Sequence, residues 1–396
     1  MTGVFLLSNA ATPLYAHWQS VWGFDSGLLT VVFAAYMVGL IASLVVAGRL
    51  ADRFGRKAVL VPGLVAAVVS SVLFLGAQDV VWLLAARLLA GVAVGAAVTA
   101  GMAAVVDLAP ARRRRTGSLI ASVSMVFGAG LGPLLAGGLA AASRRPQTLV
   151  FSVVLGVELA ALAVAIALPL KRPAAPPPRR PVARSGARLF VWPSPPRRNR
   201  RELRRGIGAF GPGLAATSFV LSLGPTVLNS VGVSGTLAAG AVVCAMFLAA
   251  TGVQFALARL TTRTHLVLSS VAAVAASVLV VLAVTVAPTA VLAISGFLLA
   301  GAAQGLGQLA GLSLIAAHVP ADKRAESNAV LNIGGYVPAG VLAVLTGYAS
   351  DAFGLPTAVA LFGAVLAAAA LTALAALAAV GRRAGHQRTA AAAEGE

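Results

Sequence analysis

Residues 48–57 read Gly-Arg-Leu-Ala-Asp-Arg-Phe-Gly-Arg-Lys and sit between two apolar runs, 28–49 and 58–77. Each run is about 20 residues long, the length that crosses a bilayer as a helix. Backbone polar groups in lipid must be satisfied within their own segment, so both runs are helices. The connection is tight, and Gly55 supplies the tolerance of positive φ that such a turn needs. Arg49, Arg53, Arg56 and Lys57 hold the loop on the cytoplasmic side, where cationic loops stay. Asp52 is the odd member, one carboxylate among four cations. Helix N-termini or paired arginines stabilise such a group by ~0.3–1 kcal/mol each when exposed.

The rest of the chain extends this pattern. Of 396 residues, 59% are hydrophobic and only 10% charged. That is too little charge to cover a soluble protein of this size. Apolar runs at about 1–17, 28–49, 58–77, 80–108, 117–142, 148–170, 206–229, 236–258, 264–287, 289–318, 326–349 and 356–380 predict an all-α polytopic membrane protein with about twelve transmembrane helices. The net charge of +19 would suit nucleic acid, but the cations cluster in alternate loops. One side holds Arg49 to Lys57, Arg112 to Arg115, Arg259, Arg263, Lys323, Arg324 and the tail arginines, while the other holds Arg144 and Arg145. That bias places both termini in the cytoplasm and excludes a nucleic-acid partner. The one cysteine, Cys244, forms no intrachain disulfide, and no His or Cys cluster has metal-ligand spacing.

The first run is short, with sixteen residues before His17, so a natural start upstream of Met1 is expected. Trp18 and Trp22 read as an interfacial belt at its outer end. Residues 171–205 are dominated by proline and arginine and read as an extended cytoplasmic linker suited to anionic lipid headgroups. They divide a six-helix half, 1–170, from a second, 206–380, ahead of a disordered cytoplasmic tail, 381–396. An offset of 210 residues relates the halves: Arg49-Leu50 to Arg259-Leu260, Arg53 to Arg263, residues 88–91 to 298–301, Gly95 to Gly305, Pro110-Ala111 to Pro320-Ala321 and Gly137 to Gly347. Duplicated halves around a site at their interface are a transporter architecture.

The 48–57 loop resembles the signature loop of the major facilitator superfamily, G-x-L-A-D-R-x-G-R-K, at every specified position. The resemblance extends to the helix number, the halves and the long central loop. It implies that Asp52, supported by Gly48, Arg53, Gly55, Arg56 and Lys57, docks on a helix of the other half and closes the cytoplasmic side. Asp107, at the inner end of the fourth helix, is expected to pair with these cations. The second copy has Thr262 and His265 in place of the aspartate and glycine, so the charged gate belongs to the first half.

Arg87, Gly91 and Gly95 lie along one face of the fourth helix. An intramembrane arginine costs at least ~2.5–3.5 kcal/mol at mid-depth and faces the protein interior or a cavity, unless it snorkels outward. The spacing resembles the family's R-x-x-x-G-x-x-x-G motif, which implies proton coupling. The fifth helix carries Gly128, Gly132, Pro133 and Gly137, a kinked face of small residues. It resembles the family's antiporter motif except at Ala136, which implies export. Glu158 is the only carboxylate well inside an apolar run. Desolvation disfavours a charged carboxylate, making it a candidate proton carrier. The first helix has Ser8, Asn9 and Thr12 but no acid, unlike many drug exporters of the family.

Asn9, Tyr15, Asn229, Gln304, Gln308, Asn328, Asn332 and Tyr336 are the candidate substrate wall. Each taken alone reads first as an interhelical hydrogen bond and second as a ligand contact. The expectation is a monomeric secondary transporter of the cell membrane, exporting a small, largely hydrophobic or amphipathic molecule. The proton gradient supplies its energy; no cofactor or metal and no enzymatic activity are expected. No nucleotide-binding loop is present to make ATP the direct fuel. Uptake by symport or uniport, or a non-transporting sensor or scaffold, are the alternatives.

Overall fold

A computed structural model describes residues 1–108, 114–168, 199–320 and 323–393, without the side chains of Arg49, Asp52, Val106, Asp107, 114–119, Ser122, Ala325 and 380–393. The docking read for Asp52, the pairing read for Asp107 and the lipid contact read for most of 171–205 lie outside the described residues. The elements are α1 (Thr2–Ala10), α2 (Tyr15–Trp22), α3 (Ser26–Phe54), α4 (Lys57–Leu75), α5 (Val80–Ala96), α6 (Met102–Leu108), α7 (Arg114–Ala141), α8 (Pro146–Ala167), α9 (Arg200–Ser230), α10 (Thr236–Ala256), α11 (Thr262–Thr285), α12 (Ala290–His318), α13 (Arg324–Phe353) and α14 (Leu355–Ala393). Among the described residues eleven helices are long and apolar enough to cross a membrane. The α1–α2 pair is the twelfth crossing. The loop between α3 and α4 turns at Gly55, whose φ of 95° is open to glycine at little cost.

The first crossing is two helices, not the single run read from sequence. Pro13 has no N–H to continue the α-helix, and a 3-10 turn at Thr12–Leu14 joins the pieces. Trp18 is not an interfacial belt residue. It is 1% exposed, its indole donates to Gln147 Oε1 at 2.9 Å, and its ring stacks on Phe74 and Phe151. Helix α9 opens at Arg200, inside the stretch read as linker, with Arg205 paired to Glu202 one turn away. The backbone of α14 is helical to Ala393, past the point where the tail was expected to begin, as an alanine-rich sequence favours.

The two halves repeat their packing as well as their sequence. A Cβ added at Gly91 on α5 would strike the Tyr36 carbonyl on α3; one added at Gly301 on α12 would strike the Met246 carbonyl on α10. Gly95 approaches Leu40 O as Gly305 approaches Ala250 O. Every residue in these contacts has its counterpart 210 positions on. Glycine is needed here because only a missing Cβ lets two helix backbones come this close.

Two seams join the halves, α3 with α13 and α7 with α10. Both are tight at the end opposite the 48–57 loop. There the Asp351 carboxylate of α13 accepts from Ser26 N at 2.9 Å and Gly27 N at 2.6 Å, the first amides of α3. Gly347 abuts Ser26 O and Thr30. In the other seam Thr236 Oγ1 donates to Gly137 O at 3.0 Å, and Gly240 lies against the Pro133 carbonyl. At the loop end Lys57, Asn199 and Arg324 reach partners within their own half. Lys57 Nζ donates to the Ile166 and Leu168 carbonyls, and Asn199 Nδ2 to His318 O at 2.7 Å. Arg324 donates to the Ala316 and Val319 carbonyls.

Candidate functional site

Arg87 is fully buried and does not snorkel. It points from α5 towards α1, where its Nη1 donates to the Ser8 carbonyl close to the break at Pro13. Its guanidinium carbon lies 5.4 Å from the ring centres of Tyr15 and Phe33 and 5.5 Å from that of Tyr36. Three aromatic faces therefore surround one cation, each contributing ~0.5–2 kcal/mol depending on desolvation. The close approach of α3 at Gly91 places Tyr36 there. Nε and Nη2 of Arg87 make no further hydrogen bond of good geometry, and the Tyr15 hydroxyl lies within hydrogen-bonding range of the guanidinium. Phe33 and Tyr36 are absent from the sequence reading. Aromatics at helical spacing read as core, and only their position opposite Arg87 could have marked them.

Helix α7, with Pro133 inside it, is held on two faces. Gly128 and Gly132 abut the Thr2 and Leu6 carbonyls of α1, while Gly130, Pro133 and Gly137 meet α10. Pro133 cannot donate to the carbonyl one turn back, Ala129 O. Asn9 Nδ2 donates there instead, at 3.4 Å. Asn9 thus occupies the interhelical role. Glu158 on α8 is buried against Gly3 of α1, and neither carboxylate oxygen has a hydrogen-bond partner.

The polar wall read from sequence is only partly assembled. Tyr336 is half-buried on α13, which packs against α3, the helix of Tyr36. Gln304 and Asn328 each keep a buried side-chain oxygen without a partner, and Gln308 is half-buried beside Gln304 on α12. Asn332 donates back to Asn328 O at 2.9 Å, within its own helix. Asn229 does not join them. It is exposed at the far end, lining a shallow depression with Pro13, Ala16 and Thr236. Its place near the end of α9, where the helix leaves the membrane, explains this.

Twelve helical crossings in two pseudo-symmetric halves, meeting along two seams, define a helical membrane transporter. The chain belongs to the major facilitator superfamily, whose family model matches residues 1–341. Among curated proteins it is 33% identical over 150 residues to the multidrug resistance protein MdtL of Escherichia coli O81 (strain ED1a), covering 37% of this chain and 38% of that one. It is 34% identical over 106 residues to a triacylglyceride transporter of Mycolicibacterium smegmatis (strain ATCC 700084 / mc(2)155), covering 27% of this chain and 19% of that one. The matched stretches thus span about a fifth to two fifths of these relatives' length. Among solved structures, a point mutant of the nucleoside transporter NupG superposes with a TM-score of 0.70 at 13% identity, over 94% of this chain and 98% of its own. The D-xylose-proton symporter superposes with a TM-score of 0.69 at 16% identity, over 94% of each chain. At these identities the two structures show the fold alone.

Proposed function

We propose that this transporter exports a small, largely hydrophobic or amphipathic molecule across the cell membrane by alternating access, in exchange for protons. The observation that carries the reading is α7. Its glycine and proline face is wedged between α1 and α10, so the motif that resembles the antiporter branch forms one of the two seams on which the halves must move. The partial identity to MdtL supports the same direction. The cation distribution supports cytoplasmic termini. With the halves clasped at the end opposite the 48–57 loop, the arrangement supports a state open towards the loop. Asp52 would then close that end in the alternate state. Arg87 and Glu158, both buried, are the candidates for coupling proton movement to these states. A monomer, with the 171–205 segment against anionic headgroups, completes the reading.

The test is proton movement in proteoliposomes loaded with a pH-sensitive dye, across a panel of cationic, neutral and anionic lipophilic compounds. Antiport predicts compound-dependent proton flux that is lost in Arg87→Ala and altered in its pH profile by Glu158→Gln. Compound flux with no proton movement would remove antiport and leave uniport.

A further inference from the structure

A guanidinium keeps its charge in any protein environment, and a buried charge needs a partner. Arg87 has only part of one. The Ser8 carbonyl takes Nη1, and three aromatic faces surround the group, but a carbonyl dipole and ring quadrupoles do not neutralise a full charge. Among the described residues no carboxylate bonds to it. The buried carboxylate of Glu158 lies against Gly3 instead, without a hydrogen bond and facing the Met1 amino group. The two nitrogens left open, Nε and Nη2, are not scattered donors. They form one edge of the guanidinium, the fork that takes two oxygens of a carboxylate or phosphate at once. The Tyr15 hydroxyl stands within hydrogen-bonding range of the same guanidinium. Phe33 and Tyr36 add apolar walls. Tyr36 is half-buried and sits on α3, the helix that packs against α13 of the other half.

We propose that the open edge of Arg87 is a binding site for the anionic group of the transported molecule, a carboxylate carried on an aromatic or aliphatic body. This names the substrate class within the export reading and rests on it. The helix that supplies the acceptor for Nη1 carries no acid, and the substrate supplies the missing negative charge.

The full chain, in nanodiscs of phosphatidylcholine alone, is titrated with three probes that share a ring system: 2-naphthoate, 2-naphthamide and 2-naphthylmethylammonium. Binding is read by naphthyl fluorescence without any ion gradient. The expected result is saturable binding of naphthoate at least ~10-fold tighter than of the amide or the ammonium. Arg87→Lys keeps the charge and a donor for Ser8 O but loses the fork, and should cost naphthoate ~10-fold while leaving the amide unchanged. Equal binding of the three probes, no naphthoate binding to folded protein, or undiminished naphthoate binding to the lysine variant would each overturn the site. Repeating the titration with phosphatidylglycerol in the discs tests the other source of the same chemistry. Loss of naphthoate binding there would assign the fork to a lipid headgroup and overturn the substrate reading. Naphthoate binding without compound-driven flux would uphold the site and sink export. Proton-coupled flux of the ammonium with no naphthoate binding would do the reverse.

Discussion

Between α7 and α10 the halves meet through glycine backbones and one hydroxyl: Gly137 under Thr236, Gly240 under Pro133. Between α3 and α13 they meet through Gly347 and a carboxylate, Asp351, set on the first amides of α3. The seams are counterparts, since Ser26 corresponds to Thr236 and Gly347 to Gly137 at the 210-residue offset. Asp351 corresponds to Ala141, so the charge is on one seam only. The difference separates two tasks. Bare backbone contact is set by shape and is the same in any medium of equal packing. A carboxylate on a helix N-terminus is electrostatic, gains from the partial positive charge there, and can be released by changing one atom. The α7–α10 seam is therefore a steric bearing, and the α3–α13 seam is an adjustable latch.

The largest effect should come from spoiling the bearing. Gly240→Val drives a side chain into the Pro133 carbonyl, which as backbone cannot step aside, at a cost of about 3 kcal/mol for overpacking. In a Cys244→Ser background, disulfide formation between cysteines placed at Gly138 and Leu237 should fall to background. Retained cross-linking would show that the seam yields. Next comes the latch. Asp351→Asn removes a charged acceptor worth about 2 kcal/mol and should move the balance of states more than ~10-fold towards opening at that end. Spin labels on exposed Val21 and Phe353 report this as a new long distance, and an unchanged distribution would end the latch idea. The family resemblance assigns the opposite end to Asp52, so Asp52→Asn should move the same label pair the other way.

Smaller effects separate the bearing from its support. Asn9→Ala leaves the Ala129 carbonyl without a donor, about 1 kcal/mol, and should lower thermal stability while leaving the label distances alone. Thr236→Val removes one membrane hydrogen bond, about 0.6 kcal/mol, and should slightly reduce the 138–237 cross-link. A loss as large as that of Gly240→Val would mean that the hydroxyl, and not the backbone fit, holds the seam.

The helices, their order and the duplication were legible because hydrophobic length and repeated Arg, Pro and Gly positions are local properties of a chain. The contacts of Gly91 and Gly301 then follow from the same offset. What Trp18 touches was not legible. A tryptophan near a helix end suits an interface or a core equally until the neighbours Phe74, Phe151 and Gln147 are known. The same ambiguity applied to the polar wall. Asn9 answers a vacancy left by Pro133 on another helix, and Asn229 lies beyond the buried region, so neither joins Gln304 and Asn328. Pro13 was visible, but whether a proline kinks a helix or splits it depends on what receives the freed backbone. Asp351 is inconspicuous in sequence because an acid at a helix end is ordinary. Its meaning lies in the start of α3, more than three hundred residues away.

Ser8 and Asn9 are consecutive, and each is fastened to a different helix, the first by its carbonyl to Arg87 on α5, the second by its amide to Ala129 on α7. One peptide unit therefore works as the pivot of a lever. A load on the guanidinium would be felt, a single residue away, by the helix that packs against the other half. With cargo on that guanidinium, as proposed above, the fulcrum and the point of attachment would share the same turn of chain.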